Sequence, residues 1–515
     1  MAETEQKAGK LGFYAGLTAL ILLLILTLVS WKTPTQDLVK PLAAGVPLAG
    51  PSAESTLGIT KNERAVTLDP RIAEILLQEK GTINLELEPG RKLVIDFERT
   101  VYEPPNIASV RGEIRGIPGS LVLLESYKGA VAGEITYPDG RRLQVQITDR
   151  DGKQHVVFQL DDDKMVVDHA LHEHFKTEMH NAFPEGKVPE GNIISQPQLP
   201  WNQTVPVPGM PWFTTTLIGT NPWPQMTNVY GPPVVSLMVL YTPQAEDQLA
   251  GLLGIQTRIR LAMSQINACL EKSGTSAEIR LIHTEKIDYT ASGSLNNDLL
   301  TMTYGVGPVM PEVHSLRLQH RADLVSLIVE SSPNNVMHGA SWMLTDFVPA
   351  PAFGFNVIEA PYINSSVWVH EIGHNLGCNH ATNDVGGFIN GAFNNSHGYR
   401  FSLTTNQNTY NFRTIMAYGP GRRLGYFSSP SNNFYGVPMG NNTVANNVYT
   451  IDKTAPMVGT YLGGGYGPPY YMTNTSTAST PPSNNTIAND GRTVIRLPSS
   501  RLSRQLIRLP MNTSN

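Results

Sequence analysis

Between Val367 and His380 the chain reads VWVHEIGHNLGCNH, with three histidines and one glutamate in a protein that has 13 histidines among 515 residues. His370 and His374 are four apart, so a helix would stack them on one face, one turn from each other. Two imidazoles so placed can take adjacent corners of a tetrahedral zinc ion. Glu371 would be rotated too far around that helix to bind, yet near enough to reach a metal-bound water, which is the place of a general base. His380 lies a further six residues on, about 240° round an unbroken helix. Gly377 stands between them, and a glycine in the left-handed conformation can end the helix and bring His380 to a third corner. The fourth corner is then open for water, as a hydrolytic site requires. A chance match to five such residues in this frame is on the order of one in ten thousand. An unbroken helix would instead present His370, His374 and Cys378, leaving Gly377 and His380 without a part. A structural zinc site is a third reading, opposed by the open corner and the adjacent acid.

HEIGHNLGCNH resembles the HExxHxxGxxH signature of the metzincin zinc peptidases, and RTIMAYG (413–419) resembles their methionine turn. The text around them is most similar to the reprolysin-like and peptidyl-Asp metalloendopeptidases over residues 234–455: VVSLMVLYTPQA, INACLEKSGTSAEIRLI, RADLVSLIV, HGYRF and PGRRLGYFSSP. The resemblance implies a zinc-dependent endopeptidase acting on proteins or peptides. His370, His374 and His380 would bind one Zn2+, Glu371 would be the general base, and a zinc-bound water the nucleophile. Met416 would be an apolar floor under the imidazoles. Tyr418 would occupy the place of a tyrosine near the metal that stabilises an oxyanion or serves as a fifth ligand, or it would only pack the floor. A preference for acidic residues is implied as well, with Arg413, Arg422 and Arg423 as candidate carboxylate partners.

The chain departs from the pattern at two points. Ala381 follows the third histidine where many relatives carry Asp, Glu, Ser or Thr, and the cysteines that several relatives use before the active-site helix are missing. These departures motivate a rival reading, a membrane-anchored binding or adhesion protein with an inactive metzincin-like domain. The complete ligand set, Glu371 and the methionine turn speak against it.

The elements that must position these residues read as an α/β domain over 233–461. VVSLMVLYT (234–242) has strand length, and residues 245–272 carry apolar side chains at helical spacing. AEIRLIHTEKIDY reads as a strand, and VHSLRLQHRADLVSLIVE as a helix running into a strand. HGASWML and FGFNVIEA are further strand material ahead of the VWVHEIGHNL helix, which predicts a mixed sheet. Residues 381–455 show little periodicity. Upstream, residues 61–167 alternate apolar and polar between turn signals (TINLELEP, KLVIDFER, GSLVLLES, RRLQVQITD), as a small antiparallel β domain does. By position and resemblance it is a pro-domain that docks on the catalytic domain of a zymogen. No cysteine precedes Cys269, so no thiolate can mask the metal.

The remainder sets the cellular context. Residues 11–31 are uncharged and long enough to cross a bilayer, after a flank at 1–10. Trp31 and Lys32 follow directly, which favours an uncleaved anchor and a protein outside the cytoplasm, or secreted if the segment is removed. Residues 32–60 read as a tether, 168–232 as a linker with the activation site, and 462–515 as a low-complexity disordered tail in which IRLP recurs. His169, His172, His174 and His180 offer a second metal site or a charged exposed helix, and their spacings, which scatter the rings around the axis, favour the exposed helix. A net charge of −5 offers no field for nucleic acid. Two cysteines, Cys269 and Cys378, allow one disulfide or two free thiols.

Overall fold

The structure is a computed structural model that describes residues 57–161 and 233–462, apart from 89, 102–105, 306, 333–337, 346, 348, 385–390 and 406–407. It also describes the short strands at 37–41, 494–496 and 506–508. The hydrophobic segment 11–31 and the histidines at 169–180 lie outside the described residues. Among the described residues no helix is long and apolar enough to cross a membrane.

The first unit is a closed β-barrel. Its strands are β1 (Asp37–Pro41), β2 (Thr60–Leu68), β3 (Lys80–Glu88), β4 (Arg91–Val101), β5 (Ile107–Ile114), β6 (Leu121–Tyr127), β7 (Ala130–Thr136), β8 (Arg142–Ile147) and β9 (His155–Leu160). A short helix, α1 (Ile72–Ile75), links β2 to β3. Neighbouring strands are antiparallel except where β1 runs parallel to β3 and closes the ring. β1 comes from the stretch read as a tether. Its pairing is non-local, which is why composition alone pointed to a linker. Alternation drives the barrel: Ile83, Leu85 and Leu87 on β3, and Leu93, Ile95 and Phe97 on β4, all point into one apolar core. On β7 and β8 the alternation fails, because nearly every residue is buried. Their second face lies against the next unit rather than water.

That unit is built on a five-stranded sheet. It comprises β10 (Val234–Tyr241), α2 (Pro243–Gln248), α3 (Gly251–Ser273), β11 (Glu278–Lys286), α4 (Leu295–Tyr304), α5 (Met310–His320), β12 (Leu324–Val329), β13 (Gly339–Ser341), β14 (Phe355–Glu359) and α6 (Val367–Asn375). The strand order is β11-β10-β12-β14-β13, all parallel except the edge strand β13. This is the mixed sheet expected. All eight residues of β10 are buried, as in a parallel strand covered on both faces. One face packs on α3 and α6, through Ile255, Ile259, Ile266, Trp368 and Ile372. The other packs on α4 and α5, through Leu295, Leu299, Met302 and Val313.

The segment read as aperiodic contains the hairpin β15 (Arg400–Thr405) and β16 (Asn408–Arg413), then β17 (Arg422–Arg423), β18 (Ser429–Phe434), β19 (Val437–Met439) and α7 (Asn447–Val458). In the tail read as disordered, β20 (Val494–Arg496) and β21 (Leu506–Arg508) pair antiparallel, with Ile495 opposite Ile507. Both cysteines are buried free thiols, which resolves that alternative.

The two units share a core. Ile59, Val156, Phe158 and Leu160 of the barrel belong to the same apolar cluster as the sheet and α6. Leu123 and Ala132 meet Leu261 and Ala268 of α3.

Candidate metal centre

Helix α6 is buried along its whole length. Trp368 anchors it, with Nε1 donating to Ser326 Oγ at 2.9 Å, and Asn375 Nδ2 donates to the carbonyls of Trp342 and Phe355 at 2.8 and 3.1 Å. Helix and sheet are thereby fixed to each other.

The helix ends where the glycine predicts. Gly377 has φ +84, Gly377 N donates to His374 O at 2.9 Å, and Cys378 N donates to Gly373 O at 2.8 Å. This pair of bonds is the Schellman stop, which needs a residue free to adopt a left-handed conformation. A Cβ at Gly377 would lie 2.6 Å from Ala392 Cβ, so the turn is closely packed as well. The chain then doubles back. Asn379 N donates to Ser396 O at 2.6 Å, Gly398 N donates to Asn379 O at 3.0 Å, and His397 Nδ1 donates to His380 O at 2.8 Å.

The result is convergence of three imidazoles. Nε2 of His370 lies 3.0 Å from Nε2 of His380 and 3.1 Å from that of His374, and the last two are 2.9 Å apart. His370 Nδ1 donates to Ile415 O at 3.0 Å and His374 Nδ1 to Cys378 O at 2.8 Å. With the proton on Nδ1, the Nε2 lone pairs face one another. Burial, and then the neighbouring His374, holds His370 well below the usual imidazole range. Lone pairs gathered this closely repel unless a cation sits among them, and three neutral imidazoles are a donor set that suits zinc. The residues present therefore fit the metal. Cys378 is not part of the cluster, because the helix ends at Asn375 and the left-handed Gly377 turns the chain before it.

Glu371 lies beside the ligands, and its Oε2 accepts from Ser341 Oγ at 2.7 Å. Ser341 and Gly339 are two apart on edge strand β13 and so face the same way. A Cβ at Gly339 would come within 2.6 Å of Glu371 Oε1, so the strand is hollowed to admit the carboxylate. Burial pushes Glu371 up to about 7, opposed by the Ser341 hydrogen bond and the charge of Arg423.

Met416 is buried under the helix, with its Sδ 2.6 Å from where a Cβ at Gly373 would be. Tyr418 is buried against the cluster, with its Oη 2.7 Å from His380 Nε2. Its peptide is gripped from both sides: Asp384 Oδ2 accepts from Tyr418 N at 3.0 Å, and Arg400 Nη1 donates to Tyr418 O at 3.2 Å. Asp384 and Arg400 also pair with each other at 2.5 Å.

The arginines weighed as partners of an acidic substrate are engaged within the fold, and the charge of Arg423 acts on His370 and Glu371. Arg413 is buried and donates to Gly421 O at 2.7 Å and Ala417 O at 3.1 Å, holding the methionine turn. Arg423 is buried beneath the site, and Arg422 reaches the barrel, donating to Asp139 O at 2.8 Å. Sequence reasoning missed Gly339, Ser341, Asp384, Arg400 and His397. The HGYRF segment held two of them, but nothing in its spacing marked a role.

One further residue stands out at the start of the helix. Ser366 precedes α6 with φ +78, a conformation that costs a non-glycine residue about 1–2 kcal/mol. It is held there by the barrel: Arg142 Nη1 donates to Ser366 Oγ at 2.7 Å and Nη2 to Ser365 O at 3.4 Å.

Residues 231–443 match the reprolysin-like metallo-peptidases of family M12B. A peptidyl-Asp metalloendopeptidase of Stenotrophomonas maltophilia is 24% identical over 428 residues, covering 81% of this chain and 89% of the relative. One of Pseudomonas aeruginosa is 29% identical over 218 residues, covering 39% of this chain and 35% of the relative. A metalloproteinase-II from Bacteroides fragilis is 11% identical, covering 73% of this chain and 91% of that one at a TM-score of 0.32, too slight a likeness to argue from.

Proposed function

We infer that this chain, a metallopeptidase of the reprolysin-like family, is a zinc endopeptidase that cuts proteins with Glu371 as its general base. The observation that carries the reading is the trio of inward-facing Nε2 atoms with a buried carboxylate at their side. His370, His374 and His380 would hold the ion. When bound, zinc supplies a Lewis acid that polarises the scissile carbonyl and acidifies water.

The chain's own residues do the rest. Glu371 takes the proton of the attacking water and delivers it to the leaving amine. Its raised pKa suits both halves of that task, and Ser341 fixes which oxygen is free to act. Tyr418 Oη is placed to donate a hydrogen bond to the developing oxyanion. Met416 and Phe427 close the site from below and exclude water there.

The peptidyl-Asp names of the relatives support a preference for aspartate beside the cut bond. The uncharged run at 11–31 supports a membrane-anchored protein outside the cytoplasm, or a secreted one if that segment is removed. The barrel's place ahead of the catalytic unit supports synthesis as a precursor cut within 168–232. The test is a mixed peptide library offered to the zinc-loaded full chain. Cuts clustering at aspartate are expected. Absence of any cut by a zinc-loaded, folded protein would favour the binding or adhesion reading, which Ala381 motivates.

A further inference from the structure

We propose that the N-terminal barrel is a permanent brace for the active-site helix, and that cutting the linker after it leaves the barrel in place. The proposal rests on the peptidase reading above, but only its catalytic readout depends on it. Three observations carry it. The first is the continuous core: barrel residues Val156, Phe158 and Leu160 pack in one cluster with Trp368 and Ile372 of α6. Relative motion of two domains is the default unless their interface is large and hydrophobic, and a core continuous through both units is such an interface.

The second is a buried polar layer that only the joined units complete. Gln144 Nε2 donates to Asn364 O at 2.7 Å, and Asn364 Nδ2 donates to Gln265 Oε1 at 3.1 Å. Gln265 Nε2 donates to Glu134 Oε2 at 2.7 Å. Glu134, Gln144, Gln265 and Asn364 are all under a tenth exposed. Two of these bonds, Gln144 to Asn364 and Gln265 to Glu134, cross between the units, and separation breaks both and strips Asn364 and Gln265 of their barrel partners.

The third is where the barrel grips. Arg142 holds Ser366 in its left-handed conformation at the first turn of α6. His374 lies eight residues further along, about 12 Å down the helix axis. The β7–β8 turn reaches a second place under the site: Arg422 donates to Asp139 O, and Gly140 packs on Leu424. The first contact bears on the start of α6, and the second on β17, which follows the methionine turn. Arg142 is thus a positioning residue, acting on His370 and His374 through Ser366. Any processing in the linker acts on the linker itself and does not eject the barrel.

The experiment inserts a recognition site for a sequence-specific protease into 162–232 of the full chain and cuts it. Size-exclusion chromatography without denaturant should give one peak holding both fragments in equal amounts, with peptidase activity within about twofold of the same preparation before cutting or higher. In the uncut chain, Arg142→Ala should lower kcat about tenfold or more with KM little changed and zinc still bound, and Arg142→Lys should recover part of the loss. Fragments eluting apart, with the catalytic piece folded and holding zinc, would overturn the proposal. So would an Arg142→Ala enzyme with unchanged kcat. Should the uncut chain bind no zinc and cut nothing, the peptidase reading fails, while co-elution still decides whether the barrel stays.

Discussion

Replacing Gly377 by alanine probes the turn that carries His380 into the cluster. Two costs arise. At φ +84 an L-residue is disfavoured by about 1–2 kcal/mol. The new Cβ would also sit 2.6 Å from Ala392 Cβ and 3.3 Å from Leu344 O, well inside ordinary contact distance. Relief requires moving either the turn or the 391–392 segment, and Ala392 N is tied to Gly377 O at 2.9 Å. Together these amount to about 2–4 kcal/mol, typical of overpacking combined with backbone strain. The helix before the turn is held by Trp368 and Asn375, so the strain is released on the far side, at His380. If all of it falls on metal binding, zinc affinity drops about 30- to 700-fold. Competition with a chelating dye measures that affinity, and urea unfolding in chelator measures what falls on the metal-free fold. Gly425→Ala, whose Cβ would meet nothing within 4 Å, is the control. A Gly377→Ala protein with native zinc affinity and native metal-free stability would refute the turn's role.

Other outcomes follow from the same geometry. Gly339→Ala places a Cβ 2.6 Å from Glu371 Oε1, and kcat should fall about 100-fold with zinc content unchanged, as metal analysis beside steady-state kinetics would show. Burial pushes His155 and His314 down to about 4, so each is neutral in the fold but takes up a proton when unfolded below about 6.5. Their stabilisation is therefore complete above about pH 6.5 and lost as pH falls toward 4, by up to about 3 kcal/mol each. Urea midpoints at pH 7, 5 and 4 should show the decline, and His155→Leu should flatten its share. Burial pushes the Cys269 thiol up to about 12 and raises that of Cys378, so neither should react with a thiol reagent until urea unfolds the chain.

The ligands were legible because their geometry is local. His370 and His374 share a helix face by spacing alone, and the Gly377 turn follows from the one residue type that tolerates it. Everything that tunes the site comes from distant segments. Ser341 reaches Glu371 from an edge strand thirty residues earlier, and Asp384 meets Tyr418 across the methionine turn. No single-sequence pattern announces such pairings. Helix α4 was passed over although Ser294 caps it and Leu295, Leu299 and Met302 follow helical spacing, and α7 is disguised by Pro456 near its end. The barrel's strands were plain from alternation, but its ring closure by β1 and the burial of the outer faces of β7 and β8 depend on partners far along the chain.

The measurement that bears most directly on the central claim pairs zinc content with peptide cleavage for the full chain and its Glu371→Gln variant. The account predicts one zinc per chain in both, with cleavage by the parent and essentially none by the variant. Zinc-free folded protein, or equal cleavage by the two, would contradict it.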